Sequence, residues 1–587
     1  MRFRLMSLLL LAACASGATQ PHNVTQMRTA LEGEWSQEPN RTDSWMGYTV
    51  AFADVNGDGF QDGIVSAIAE DNGEEAEGRV RAFHGSVDGL ATESAWIAES
   101  NQDYAYFGVA LGSGDINGDG YDDLLIGAHR YDTGAGDEGG LFLYYGSPDG
   151  LQTQPSWAYG GTEAGAQWGK AVAVANVNGD AYDDLVFGGP MADDAGSATL
   201  LLGSADGPVA NAVWSVTSDQ TGSDYGSAVA SAGDVNGDGF EDVLVGARFY
   251  DERGEAYLYL GSESGLSAEP AWTATLQTNG GAFGSAVVGA GDVNGDGFDD
   301  VAIGAEEASQ GEEQEGRVFL FFGSASGLSE QAQWTSEGDQ PYADWGASLA
   351  SGDVNGDGFS DLVIGATRFT TEEEQEGQAA IYLGSLSGPA SVPAATMTSG
   401  QNFAYFGQAI AVGNVNGDGF ADVLVGAHLF DGGHSDEGAA VLFAGVCLSL
   451  TFADVDGDGF GDPAFPSTAC EPAAGTVANE GDCDDTQFDI SPEAEEIPDD
   501  GIDQDCDGVD LVSEETDLPE DTDLPDETDL PDETDLSVDS DAADSDGTGT
   551  PIGSEHQGCG CQSGVPPVYG LTSLALIILR RRPHKAA

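Results

Sequence analysis

DVNGDGFQD, residues 54–62, carries oxygen-bearing side chains at its first, third, fifth and ninth places and glycine at its fourth and sixth. Asp54, Asn56, Asp58 and Asp62 supply hard oxygens, and the backbone carbonyl of Phe60 offers another while its ring is free to point into a sheet. Oxygen ligands in a tight loop suit calcium. An EF-hand would need Glu at place twelve and flanking helices, whereas place twelve is Val65 and the flanks read as strands. The loop is calcium-like without being an EF-hand. The bland reading is an acidic turn that binds nothing, yet carboxylates facing one another without a cation repel.

Close copies begin at Asp115, Asn176, Asp234, Asp292, Asp353 and Asn414, at successive spacings of 61, 61, 58, 58, 61 and 61 residues. The same five places are held by Asp115, Asn117, Asp119, Tyr121 and Asp123, then by Asn176, Asn178, Asp180, Tyr182 and Asp184. Next come Asp234, Asn236, Asp238, Phe240 and Asp242, followed by Asp292, Asn294, Asp296, Phe298 and Asp300. Asp353, Asn355, Asp357, Phe359 and Asp361 form the sixth set, and Asn414, Asn416, Asp418, Phe420 and Asp422 the seventh.

Each unit runs in one order. An apolar segment follows an aromatic-Gly pair, then come the acidic loop, a β-rich run such as DLLIGAHR, a third apolar segment such as GGLFLYYG, a Gly-Ser turn and a short segment around a tryptophan. Four strands per unit, seven times, predict an all-β seven-bladed propeller over residues 30–446, because radial repetition protects strand edges. A solenoid would need capping units. Instead, an unpaired segment at Trp35 precedes the first unit and the seventh stops after its third strand at Gly445, so the N-terminal strand is expected to close the ring.

The 587-residue chain has 103 acidic against 16 basic residues, a formal charge of -87, which repels nucleic acid and anionic membranes and attracts cations. MRFRLMSLLLLAACASG opens it like a secretory signal, residues 1–17, and LAAC resembles a lipobox that would lipidate Cys14. Membrane association is expected only through such a lipid or through the C-terminal tag.

Aromatic-Gly and Gly-Ala pairs recurring around the seven oxygen-rich loops resemble the FG-GAP repeats of the integrin alpha propeller, over Trp35 to Gly445. The resemblance implies calcium at the matching loop residues; blades three and seven depart from it by opening with Asn176 and Asn414, and blade three has Ala181 in place of glycine. Residues 447–510, with DVDGDGFGDP and GDCDDTQFDISPEAEEIPDDGIDQDCDG, resemble the MopE-type metal-binding motif. Asp454, Asp456, Asp458, Phe460 and Asp462 repeat the calcium-like spacing there, and Asp503, Asp505 and Asp507 form a further candidate set. Cys447, Cys470, Cys483 and Cys506 allow three disulfide pairings in an exported module, with copper-binding thiols as the alternative.

Residues 511–555 repeat TDLPEDTDLPDETDLPDETDL, an acidic composition that builds no core and reads as a disordered stalk. Residues 556–587 hold Cys559, Cys561, a short apolar run and an Arg cluster, and resemble the MYXO-CTERM type of sorting tag. The whole reads as an exported, anchored bacterial surface protein that takes calcium and an extracellular protein or glycan. The alternatives are a structural, calcium-stabilised surface-layer component and a hydrolase of the GPI-specific phospholipase D type, although no catalytic constellation stands out and no spare domain is left for one. His129 and His428 read as ordinary loop residues. Partners are expected on the face opposite the acidic loops, where Tyr104, Tyr131, Tyr250 and Tyr342 look exposed.

Overall fold

The computed structural model describes residues 35–446 except Asn279, and parts of 449–506. The signal and Cys14, Cys447, Asp458, Asp462, Cys470, Asp507, the stalk and the tag lie outside the described residues.

Seven four-stranded antiparallel sheets form the blades of a propeller. Blade 1 is Met46–Ala53, Asp62–Ala67, Arg79–Phe83 and Trp96–Glu99, and the later blades repeat its order. The second strands, from DGIVSA at Asp62–Ala67 to DVLVGA at Asp422–Ala427, are buried at all six positions. A strand covered on both faces loses the polar-apolar alternation of an exposed one, which explains these unbroken apolar runs. First strands pack side by side around the ring, and Met46–Ala53 meets Phe406–Gly413 where it closes. They are therefore the innermost strands.

The glycine at the fifth position of the second strands is set by how closely blades approach. A Cβ on Gly127, Gly188 or Gly426 would stand 2.0, 1.9 and 1.9 Å from the carbonyl oxygens of Gly169, Gly226 and Gly47 in the next blade. Blade 1 has Ser66 at this place, facing Gly108.

The ring closes as the sequence predicts. Trp35–Gln37 pairs antiparallel with the third strand of blade 7, Trp35 opposite Leu442 and Gln37 opposite Ala440. The Trp35 indole N–H then donates to the Ala91 carbonyl of blade 1 at 2.9 Å. Trp96, Trp214, Trp272 and Trp334 make the same latch to Gln152, Ser267, Ser329 and Ala390 at 2.8–3.1 Å.

Beyond the propeller, Ser449–Ala453 is the middle strand between Pro466–Ala469 and Thr476–Val477. Of the cysteine pairings left open by the sequence, the structure shows Cys483–Cys506. This module is seated on blade 6, where Glu480 accepts the Ser391 N–H and hydroxyl at 2.7 and 3.0 Å.

Candidate functional site

Each acidic loop joins the first and second strands of its blade, so all seven lie on one face of the ring. In blade 1 the Asp54 carboxylate accepts the Asp58 and Gly59 N–H groups at 3.1 and 2.9 Å, Asn56 accepts Asp58 N–H at 2.9 Å, and Asp58 accepts Phe60 N–H at 3.0 Å. Gly57 and Gly59 turn the loop at φ 68° and 88°, a left-handed conformation that glycine adopts without a Cβ penalty. The Asp234, Asp292 and Asp353 loops repeat this geometry.

The Asn-led loops differ. Asn176 uses its amide N–H to bond the Asp180 carbonyl at 2.9 Å, leaving its buried side-chain oxygen without a partner, and Ala181 stays out of the left-handed region. Asn414 accepts Gly417 N–H at 2.7 Å instead of reaching places five and six.

Place nine has a role the sequence did not reveal. Asp62 is fully buried, and its carboxylate accepts the Val55 N–H at 3.3 Å and the Gly85 N–H at 2.8 Å, tying the loop to the Gly-Ser turn after the third strand. Asp123, Asp184, Asp242, Asp300, Asp361 and Asp422 make the same two bonds in their blades. Burial pushes the Asp62 carboxyl up to about 7, against the Gly85 and Val55 N–H bonds, with Asp58 and Asp54 adding to the rise. The Asp123 carboxyl reaches about 8 for the same reasons, with burial first.

These loops fit a hard divalent cation by chemistry: every donor is oxygen, and the buried carboxylates crowd negative charge that a cation would offset. As folded here, however, the carboxylates are turned onto backbone N–H groups, and among the described residues no three His, Cys, Asp or Glu side chains gather into a metal-holding cluster.

The place-seven rings correct the expectation that they point into their own blade. Phe60 lies over Gly417 of blade 7, Tyr121 over Gly57, Tyr182 over Gly118, and so on around the ring. Place eight adds a backbone bond to the preceding loop, from Asp122 N–H to the Asp54 carbonyl at 3.1 Å and from Gln61 N–H to the Asn414 carbonyl at 3.3 Å. The seven loops thus form one closed belt.

The opposite face is built on a second repeat that sequence reading missed. Glu77, Glu138, Glu315, Glu376 and Glu437, each before a left-handed glycine, are buried acids around which the loop between the second and third strands folds. Glu138 accepts the N–H groups of Thr133, Ala135 and Gly136. Burial works against its charge, yet these N–H bonds hold the carboxyl down to about 2. The recurring Glu-Gly pair was the available signal.

On the same face, the loops between blades share one left-handed position. It is held by Gly165, Gly222 and Gly280 at three adjacent junctions, and by Tyr342, Phe403, Asp43 and Tyr104 at the other four. Tyr104, Tyr342 and Phe403 are 45%, 42% and 46% exposed. Tyr131 and Tyr250 are not the exposed platforms expected: Tyr131 packs edge-on against Phe142, and Tyr250 packs against Tyr257 and bonds Asp219. Nor are His129 and His428 ordinary loop residues. Tyr106 lies 5.6 Å from His129, and Trp45, Tyr48 and Tyr405 surround His428.

A ring of seven blades around such loops defines a class, the propeller of FG-GAP repeats, and the chain carries those repeats. The FG-GAP repeat family matches residues 107–144, 345–383 and 406–443, and the FG-GAP-like repeat matches 234–303. The family described as "Putative metal-binding motif", of the MopE type, matches 482–510, which takes in Asp503 and Asp505 but not the Asp454 loop. Among curated proteins, the chain is 32% identical over 231 residues to integrin alpha-5 of Xenopus laevis, covering 37% of this chain and 21% of that one. It is 32% identical over 235 residues to integrin alpha-V of Gallus gallus, with the same coverage of 37% and 21%. With integrin alpha-8 of Homo sapiens it shares 33% identity over 214 residues, 34% of this chain and 19% of that one. The chain spans about a fifth of the length of these relatives.

Proposed function

We propose that the chain is an extracellular, cell-surface module that takes calcium in its acidic loops and binds a protein or glycan ligand on the face opposite them. The calcium would be held by the place-one, three, five and nine side chains and the place-seven carbonyl, from Asp54, Asn56, Asp58, Phe60 and Asp62 onward. When bound it supplies positive charge that offsets the loop carboxylates and so fastens the belt. The likeness to proteins named integrin alpha, and the match to a metal-binding motif, support a surface role.

The observation that carries the ligand-binding half is the left-handed position between blades. Three junctions use glycine, which adopts that conformation at little cost, while Tyr104, Tyr342 and Phe403 occupy it with exposed rings. An L-residue there is strained, and exposed aromatic surface on a rigid scaffold is what recognition uses. The test is attachment of the full chain, in calcium, to an array of envelope polysaccharides and surface proteins. The triple variant Tyr104→Ser, Tyr342→Ser, Phe403→Ser should lose attachment with an unchanged melting temperature. Undiminished attachment, or none by the wild type, defeats the reading.

A further inference from the structure

Asn-Gly recurs at the third and fourth places of all seven acidic loops, from Asn56–Gly57 to Asn416–Gly417. Asparagine is thermolabile, and a following glycine has no side chain to hinder its amide nitrogen from reaching the Asn Cγ. That nitrogen bonds to Cγ, its proton passes through water to Nδ2, and the Cγ–Nδ2 bond breaks to release ammonia. Water then opens the succinimide at either carbonyl and leaves an aspartate or its β-linked isomer. The reaction needs neither oxidant nor enzyme, so the fold alone decides which pair undergoes it.

The loops restrain this asparagine to different degrees. Asn416 is held at three points: its Oδ1 accepts the Asp418 N–H at 2.9 Å, its Nδ2 donates to the Asp418 carboxylate at 3.0 Å, and the attacking Gly417 N–H is given to Asn414 Oδ1 at 2.7 Å. Asn178 and Asn355 keep the first two of these bonds, at 2.8–3.1 Å. Asn56, Asn236 and Asn294 keep the Oδ1 bond. The Asn117 side chain makes no hydrogen bond among the described residues, and the Asp119 N–H goes to Asp115 alone, at 3.0 Å. Asn117 is half-buried and Gly118 is exposed at φ 72°, so the pair is open to water. Two Asn-Gly pairs lie outside the acidic loops: Asn72 donates its amide to Glu99 at 2.9 Å, and Asn279 is not among the described residues.

Each product changes the loop in its own way. The aspartyl form puts a carboxylate at place three, as the Asp454 loop already has with Asp456. In blade 2 that carboxylate joins Asp115 and Asp119, and like charges so close repel. The β-linked isomer lengthens the backbone by a methylene just before Gly118, where an added Cβ would stand 2.6 Å from the Tyr182 ring. That contact ties blade 2 to blade 3 in the belt, so the isomer loosens it.

We propose that Asn117–Gly118 is a site of spontaneous deamidation and isomerisation, the first of the seven loops to be modified, and that Asn416–Gly417 is the most protected. Each restraining hydrogen bond has to break before the succinimide ring can close, and three of them slow the reaction about a hundredfold. The acidic belt therefore ages from blade 2.

The test is peptide mapping by mass spectrometry of the calcium-stripped full chain, incubated folded in mildly alkaline buffer beside a sample unfolded in urea. The Asn117 peptide should be the first of the seven to gain about one mass unit, with the β-linked isomer resolved by fragmentation. The Asn416 peptide should lag it about a hundredfold. In urea the rates should converge, since the seven local sequences are nearly the same. Asn414→Ala, which frees the Gly417 N–H, should speed the Asn416 reaction severalfold and leave the Asn117 rate as it was; should it fail to fold, the wild-type order decides alone. Incubation should lower the melting temperature of the wild type and spare Asn117→Gln. Folded loops that all react together, an Asn416 that keeps pace with Asn117, an Asn117 left intact when its urea counterpart is modified, or equal melting losses in wild type and Asn117→Gln would each overturn the proposal.

Discussion

Replacing Trp35 with alanine asks whether three N-terminal residues close the ring. The indole is 7% exposed, stands edge-on to Phe83 with ring centroids 5.0 Å apart, and donates to the Ala91 carbonyl at 2.9 Å. Truncating a buried Trp costs about 3–5 kcal/mol, within which the hydrogen bond accounts for about 1 kcal/mol. Unfolding entropy near 2.1 cal/mol/K per residue, over roughly 400 residues, makes each kcal/mol worth about 1.2 °C, so a loss of about 4 kcal/mol lowers the melting temperature by about 5 °C. Trp214→Ala is the control. It removes an equivalent latch, to Ser267 at 2.9 Å and Tyr259 at 4.8 Å, from within the ring. Calorimetry should show similar falls for both, but Trp35→Ala alone should self-associate in size-exclusion chromatography. Its strand is held by three register pairs, and release bares the edge of Ala439–Phe443. A Trp35→Ala protein that melts within about 1 °C of wild type and keeps its elution volume would refute the reasoning behind these figures.

Two further outcomes are expected. The N–H bonds hold the Glu138 carboxyl down to about 2, below its ordinary 4.5, so its contribution is complete at neutral pH and fades as pH falls from about 4.5 toward 2. Glu138→Gln should therefore melt below wild type at pH 7, with the gap closing in acid; a gap independent of pH counts against the buried-Glu account. Removing the Cys483–Cys506 bridge, which spans 23 residues, should cost the C-terminal module about 3.5 kcal/mol by loop entropy. The propeller transition in calorimetry should stay where it was, and a matching shift of that transition would show the two to unfold together.

The seven-fold repeat and ring closure were legible because each depends on local pattern: loop spacing, a Trp segment too many at one end and a strand too few at the other. What the sequence hid depends on pairing between blades. Phe60 reads as a loop residue with a free ring, and only the ring geometry lays it on Gly417, over three hundred residues away. Asp62 reads as a cation ligand, and nothing local shows that Val55 and Gly85 N–H groups already hold its carboxylate. Tyr131 and Tyr250 have loop-like neighbours in sequence, and their burial comes from Phe142 and Tyr257 on the third strands. The Glu-Gly pairs stand in plain sight in the sequence, but burial of a carboxylate cannot be seen without the N–H groups folded around it.

The central claim is that the acidic loops are cation sites that stabilise the ring. Its most direct test is calorimetric titration of the calcium-stripped full chain with calcium, followed by melting in calcium and in chelator. The account predicts uptake at the five Asp-led loops before those of Asn176 and Asn414, which have one carboxylate fewer. It also predicts a higher melting temperature in calcium, since each site adds about 2.7 kcal/mol when calcium is a hundredfold above its Kd. Asp54→Asn and Asp234→Asn should each weaken one of the early sites. No uptake, with equal melting temperatures in calcium and chelator, or tightest binding at the Asn176 and Asn414 loops, would contradict it.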